Sequence, residues 1–391
     1  MIKKHVVIIP FNLPWEWSTD YTNQTAFVLS KKNTVVSYMW AESYSLKEYT
    51  KKRKLPTLIK RYAKNLYLFY PLFLIPGRRF PVIHFLNERM NVIFLKIFVG
   101  YLSLITKPVG KILWIFDPNN RFSIDLLGKG WKVIYDCVDY FQGTVSNPQQ
   151  KAVIKKNEAR LTKEADLVTA NSMVLQKYLK TLRKDVYLVP QGFRVEDFKK
   201  KATQVQSIAM PKPIIGFAGA VNHRIDYDLL LPLAQRNPSW SFVVWGPVLE
   251  REKVTEKKWV KMQKLLKLPN VTTGFIKDRR KLPGIFSQFD ITMIPYDMSQ
   301  DFNLYCYPMK LFEFFYLGKP VVSTDILELR RFPDLVKIGK SYKEWEKIIN
   351  GILVKSWPQK YRQTAKRLAM ANSWVKKIES ISSHIPQETS Q

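Results

Sequence analysis

Cysteine is nearly absent from this chain: Cys137 and Cys306 are the only two in 391 residues. They lie far apart, with no Cys-x-x-Cys or Cys/His ligand spacing, so neither a disulfide framework nor a zinc site is implied and a reducing compartment fits best. The four histidines, His5, His84, His223 and His384, are equally scattered, and no metal is expected. Long hydrophobic runs are missing too. The most apolar stretch, Asn91 to Thr106, carries Lys96 in its middle and is shorter than the roughly 20 residues a spanning helix needs, which predicts a buried helix. Met1 to Pro10 runs straight into an apolar, strand-like stretch with no signal-peptide core or small-residue cleavage site, so a cytoplasmic protein is expected. No internal repeat or low-complexity tract occurs. Acidic residues are scarce: 32 stand against 63 basic ones, a formal net charge of +31. Such an excess predicts attraction to a polyanion, for which nucleic acid, anionic lipid and a charged glycan all qualify.

What is present is ordinary globular material, 46% hydrophobic and 24% charged, in a length suited to two domains. Short apolar runs alternate with helical patterns through both halves, the signature of βαβ units and parallel sheets. In the first half the expected strands are Val6 to Pro10, Thr34 to Tyr38, Leu66 to Tyr70, Ile112 to Phe116, Val133 to Asp136, Leu167 to Ala170 and Val186 to Val189. In the second they are Ile214 to Ala218, Ser241 to Trp245, Val271 to Thr273, Ile291 to Pro295 and Val321 to Ser323. Lys199, Lys200 and Lys201, followed by Pro211 and Pro213, mark a linker and hinge. The expected division is therefore a first lobe over 1–195, a linker over 196–213, a second lobe over 214–357 and a helical tail over 358–391. Two Rossmann-like lobes of class α/β are the predicted architecture.

Two segments could carry chemistry. The apolar strand Ile214 to Ala218 ends in Gly219 and Ala220, followed by Val221, Asn222, His223 and Arg224 and a helix starting near Asp226. A glycine at a strand-to-helix turn lets backbone amides approach a phosphate, and Arg224 adds a bidentate donor; tight packing alone would also require small residues there. Further on, Lys310 and Glu313 are three apart and share one helix face. The lysine can neutralise a diphosphate and the carboxylate can accept two hydrogen bonds from ribose hydroxyls, although a surface ion pair would have the same spacing.

At this point the chain resembles the family 4 glycosyltransferases of the GT-B fold, especially the bacterial enzymes that build cell-surface polysaccharides. The motif E-A-x-A-x-G-x-P-V-V is matched by Glu313, Gly318, Pro320, Val321 and Val322. Phe289, Asp290, Ile291 and Pro295 match the strand before it, Asn270 to Phe275 and Phe242 to Pro247 two further segments. In the first half Glu158, Leu161, Ala165, Asp166, Val168 and Ser172, then Val189, Pro190, Gln191 and Gly192, follow in the family's order. The matches run from about Tyr135 to Ser323, and the helix around Trp374 resembles the segment that crosses back to the first lobe.

The resemblance implies an enzyme that takes a sugar from a nucleotide diphosphate donor, with a UDP-sugar favoured, and passes it to a glycan or lipid-linked acceptor. The second lobe would bind the nucleotide-sugar and the first would face the acceptor. Gly219 and Arg224 would face the diphosphate, Lys310 would neutralise it and Glu313 would hold the ribose, with Asn222, Gly246, Phe275 and Leu311 completing the donor set. Asp117, Asp136 and Asp139, at the carboxyl ends of first-lobe strands, are the candidate catalytic bases, each of which could instead cap a helix or turn. Trp15 or Trp17 could stack on a sugar or simply pack. No cofactor beyond the donor substrate is implied.

The chain departs from the family at three places. Tyr305 replaces the first glutamate of E-x7-E, Cys306, Tyr307 and Pro308 replace a Gly-x-Gly loop, and the Gly-rich first loop is missing. Lys47 to Lys64 holds eight basic residues and one acid before the aromatic run Tyr67, Phe69, Tyr70 and Phe73, which predicts docking on an anionic membrane surface unless it is a solvated loop before core strands. The rival readings are a basic nucleic-acid-binding protein, which lacks any recognition motif, a sugar-nucleotide epimerase, and a non-catalytic GT-B relative.

Overall fold

The computed structural model describes residues 1–12, 14–15, 21–42, 44–45, 57–76, 80–199, 207–248, 255–276 and 278–386. It contains two compact units: Met1–Pro190 with Trp374–Gln391, and Gln191–Ser373. The strands of the first unit are β1 (His5–Phe11), β2 (Thr34–Met39), β3 (Tyr44–Ser45), β4 (Ile59–Ala63), β5 (Leu66–Phe69), β6 (Leu72–Phe73), β7 (Gly110–Ile115), β8 (Lys132–Cys137), β9 (Leu167–Ala170) and β10 (Val186–Leu188). Its helices before the second unit are α1 (Tyr21–Ser30), α2 (Pro81–Thr106), α3 (Phe122–Leu127), α4 (Pro148–Glu164) and α5 (Met173–Lys180).

Eight of these strands form one sheet in the order β10-β9-β8-β7-β1-β2-β5-β4. Every pairing is parallel except β4 with β5. The strands nearest the middle, such as β1 and β2, are buried along nearly their whole length, which is why they read as continuous apolar runs. The chain leaves β1 towards β2 on one side and reaches β7 on the other, so β1 and β7 flank the topological switch point, where such sheets open a ligand crevice at their carboxyl ends.

The second unit carries β11 (Ile214–Ala218), β12 (Ser241–Trp245), β13 (Val271–Gly274), β14 (Ile291–Ile294), β15 (Val321–Ser323) and β16 (Val336–Ile338). Its helices are α6 (Glu196–Lys199), α7 (Tyr227–Arg236), α8 (Glu256–Leu266), α9 (Leu282–Ser287), α10 (Asp301–Leu304), α11 (Lys310–Tyr316), α12 (Tyr342–Lys355) and α13 (Gln359–Ala371). The sheet order is β13-β12-β11-β14-β15-β16, all parallel, and its switch point lies between β11 and β14. A last helix, α14 (Trp374–Ser383), belongs to the first unit.

Every strand expected from sequence is present, and β4, β16 and the short β3–β6 pair are additional. Three expectations need correction. In the segment over 196–213 the described parts on either side of 200–206 are not a free linker, because Phe198 and Ile208 are buried in the core of the second unit. The return to the first unit begins at Trp374 rather than at 358, since α13 packs with α11 inside the second unit. Finally, α2 is a 26-residue helix, not a buried one: Val82, Ile93, Ile97, Leu104 and Ile105 are all more than half exposed.

Candidate functional site

The site in the second unit begins with three glycines forced by close approach. A Cβ on Gly216 would meet the Phe289 ring at 2.2 Å, and one on Gly246 would meet the Gly219 carbonyl oxygen at 2.1 Å. Gly219 itself has φ of +145°, a region that side chains avoid. Beyond the strand ends the backbones stay together: Gly219 N–H donates to the Trp245 carbonyl (2.9 Å) and Val221 N–H to the Pro247 carbonyl (2.9 Å). The result is a side-chain-free ledge at the carboxyl ends of β11 and β12.

Lys310, at the first turn of α11, lies against that ledge. Its ammonium is 2.7 Å from where a Gly219 Cβ would stand, donates to Tyr296 Oη at 2.7 Å and sits 4.3 Å from the Phe217 ring centroid. Tyr296 follows β14 and is buried. Arg224 stacks on the same tyrosine, its guanidinium carbon 4.4 Å from the ring centroid and 4.5 Å from that of Phe302. Arg224 Nε donates to Asn303 Oδ1 at 2.7 Å, and Asn303 Nδ2 donates back to the Arg224 carbonyl at 3.1 Å. Two cations thus share one aromatic ring, each oriented by its own hydrogen bond, at the switch point between β11 and β14.

The nearby carboxylate Asp297 does not cancel them. It is engaged by Lys258, Ser299 and Gln300; burial alone would raise its pKa, but these bonds hold it at about 2. Among the described residues Lys310 makes no ion pair with a carboxylate. The ledge, the lysine and the arginine form a preorganised place for a negatively charged group.

The other predicted donor residues divide. Glu313, one turn after Lys310, is 6% exposed, which removes the surface-pair alternative. Gly246 is part of the ledge. Asn222 shapes the turn, its Oδ1 accepting the Arg224 N–H at 2.9 Å. Phe275 projects from the end of β13 and is 61% exposed. Leu311 is a correction: its side chain is fully buried and its N–H already donates to the Pro308 carbonyl at 3.1 Å, so packing explains it. Tyr305 closes α10. Sequence reasoning missed Tyr296, Phe302 and Asn303; only the position of Tyr296 after the recognised strand at Pro295 could have pointed to one of them.

In the first unit the three aspartates have different fates. Asp117 follows β7 at the switch point, accepting from Asn12 Nδ2 at 2.5 Å and from Asn119 N–H at 2.8 Å; burial raises its carboxyl pKa against those bonds. Asp139 follows β8 and is half-buried. Asp136 is a correction. It is wholly buried, 3.2 Å from the equally buried Lys377 of α14, and accepts from Thr169 Oγ1 at 2.9 Å, a structural ion pair rather than a reacting group. Unforeseen was a buried network in which Glu158 accepts from Tyr135 (2.8 Å), Gln142 (2.8 Å) and Tyr178 (3.0 Å), burial raising its pKa. Trp15 packs against Phe11, Phe27 and Tyr62 and is 4% exposed, so it is core. Trp17 and Lys47 to Pro56 lie outside the described residues.

Two α/β units with parallel sheets, each opening at its own switch point, and a final helix that returns to the first unit define the GT-B fold. The chain has that fold. Over 97% of its length it matches a sucrose-phosphate synthase (tll1590) from Thermosynechococcus elongatus, 98% of which is covered, with TM-score 0.71 and 14% identity. Anabaena Alr3699/HepE, solved in complex with UDP, matches with TM-score 0.63 and 12% identity over 97% of this chain and 98% of that one. An OtsA apo structure matches with TM-score 0.65 and 12% identity over 99% and 100%. In sequence the chain is 31% identical over 224 residues to the "Putative teichuronic acid biosynthesis glycosyltransferase TuaH" of Bacillus subtilis (strain 168), spanning 54% of this chain and about half of that protein, 53%. No family model matches the sequence.

Proposed function

We propose that the chain is a glycosyltransferase that moves a sugar from a nucleoside diphosphate donor, UDP-sugar in first place, to a glycan or lipid-linked acceptor in cell-surface polysaccharide biosynthesis, of capsule, exopolysaccharide or teichuronic type. The observation that carries it is the pair Lys310 and Arg224 on the Tyr296 ring beside the Gly219 ledge. A diphosphate leaving group gains charge as the glycosidic bond to the donor breaks, and fixed cations in a partly buried site stabilise that charge. Glu313 is the proposed ribose acceptor. Asp117, already raised in pKa by burial, is the proposed base for the acceptor hydroxyl, with Asp139 as the alternative. The donor is a substrate, and no resident cofactor or metal is proposed. The UDP complex of Anabaena HepE and the name of the Bacillus relative support this reading.

The enzyme is proposed to work on the cytoplasmic face of the membrane as a peripheral protein, nucleic acid not being a partner. The basic part of the docking patch survives in Lys60, Arg61 and Lys64, all exposed. Of its aromatic part, Phe69 and Phe73 are core residues, whereas Tyr67 and Tyr70 are half-buried. Tyr305 favours one competing reading, a GT-B relative that binds nucleotide without transferring sugar.

Calorimetric titration with UDP and GDP, repeated for Arg224→Ala and Glu313→Ala, tests the donor site. UDP binding weakened by both changes is the expected result, and if neither nucleotide binds the assignment falls. Release of UDP from UDP-sugars in the presence of membrane-lipid extract then separates an enzyme from a nucleotide-binding relative.

A further inference from the structure

The amphipathicity of α2 is inverted. Its polar residues Asn87, Glu88 and Asn91 are buried in the first unit. Asn87 exchanges hydrogen bonds with the Ile75 backbone (3.0 and 2.9 Å), Asn91 does the same with Leu72 (2.7 and 2.9 Å), and Tyr38 Oη donates to Glu88. Val92, Leu95, Val99 and Leu102 complete this inner face. The opposite face is apolar and in solvent: Val82 is 70% exposed, Ile93 56%, Ile97 65%, Tyr101 58% and Leu104 79%. These positions recur at helical spacing, making one continuous stripe rather than scattered residues, and contiguous apolar surface of that kind marks an interaction site.

The only exposed charges on the stripe are Arg89 and Lys96. From Thr57 to Lys111 the sequence has nine lysines and arginines and a single acid, the buried Glu88. The basic edge strand β4 adjoins the helix: Arg61 lies 6.0 Å over the Tyr67 ring, and Tyr67 packs 5.5 Å from Phe98 of α2.

We propose that α2 lies along an anionic lipid bilayer, its outer stripe in the headgroup and acyl boundary and its cations, with those of β4, on the phosphates. The pattern is that of an interfacial helix with an apolar stripe and basic flanks. In length and composition α2 would also suffice to cross a membrane, but its inner face is bonded into the first unit, which keeps it lying flat. A second copy of the chain is a poorer occupant, because self-contact would bring Arg89 and Lys96 against like charges with no exposed acid on the stripe to receive them. The inference deepens the peripheral placement proposed above and does not depend on the donor chemistry.

The test is flotation of the full chain with vesicles of phosphatidylcholine alone or mixed with phosphatidylglycerol at low salt, with UDP affinity and thermal unfolding measured in parallel. The wild type is expected to float with the anionic vesicles. Ile93→Ser combined with Ile97→Ser and Leu104→Ser should lower the vesicle-bound fraction at least about tenfold, since three exposed apolar side chains lose their burial, while UDP affinity and unfolding temperature stay unchanged. Arg89→Gln with Lys96→Gln should weaken binding to anionic vesicles several-fold, leaving any binding to neutral ones unaltered. A wild type that does not float overturns both the inference and the peripheral placement, leaving the donor site standing on its UDP titration. A triple variant that floats like the wild type overturns the inference alone. Light scattering that shows a wild-type dimer and a monomeric triple variant, with vesicle binding unaffected, would overturn it in favour of a second copy.

Discussion

Replacing Lys310 with methionine removes a charge while keeping most of the side chain's bulk, and the structure allows its effects on binding and on stability to be separated. In the free protein the ammonium makes one hydrogen bond, to Tyr296 Oη, and a bond from a charged donor is worth about 1.5–3 kcal/mol. Against it stands repulsion from Arg224 on the same ring. The two ring distances, 5.0 and 4.4 Å, keep the charges within about 10 Å, where like charges near a protein surface repel by on the order of 1 kcal/mol. The repulsion offsets part of that bond, so the net loss is on the order of 1 kcal/mol and the unfolding temperature should move by less than about 4 °C. With UDP bound the variant lacks a charge-assisted hydrogen bond of about 1.5–3 kcal/mol, which is roughly a 10- to 150-fold loss of affinity. Calorimetry with UDP, UMP and uridine locates the loss: it should be largest for UDP and absent for uridine, which has no phosphate. Equal losses for UDP and uridine, or none for UDP, would refute the placement of the diphosphate at Lys310.

Gly246→Ala puts a methyl group 2.1 Å from the Gly219 carbonyl oxygen. Overpacking against backbone should cost about 1–3 kcal/mol or more and displace the ledge, so thermal unfolding and UDP titration should both report a loss. Asp136→Ala leaves Lys377 buried without its partner and should destabilise the first unit by about 3–5 kcal/mol, while the double change Asp136→Ala with Lys377→Met should recover much of that; denaturant titration checks both, and a stable but inactive single variant would return Asp136 to the catalytic list. Asp117→Asn should lower kcat by about 10²- to 10⁴-fold with UDP affinity unchanged. Because burial raises the Asp117 pKa and the base must be ionised, wild-type kcat should climb with pH through a value above the ordinary carboxylate range, and that acid limb should disappear from the residual rate of the variant.

The parallel strands were legible because burial on both faces writes itself as an apolar run, and Gly219, Arg224 and Lys310 because their segments carry recognisable spacing. Strand β4 was not, since all five of its residues are exposed at the sheet edge and no alternation betrays them. The aromatic cradle under the two cations was hidden for another reason: Tyr296 and Phe302 act through a ring shared in space, with nothing periodic in their sequence positions. Asp136 misled because a carboxylate at a strand's carboxyl end looks the same whether it faces a crevice or a lysine from another part of the chain. Helix α2 misled because a run this apolar does not say which face is inside, and here the polar residues chose the interior to bond with the Leu72 and Ile75 backbone.

Asp136 and Lys377 are 241 residues apart in the sequence. At the usual pace of synthesis, about 5–20 residues per second, the aspartate leaves the ribosome on the order of tens of seconds before its lysine does. During that interval the first unit cannot settle into its finished state without burying a lone carboxylate, whereas every residue of the second unit has already been made by Ser373. Completion of the first unit therefore waits on the helix that begins at Trp374, and a chain cut short before Lys377 would be held back from its final packing by that same unmatched charge.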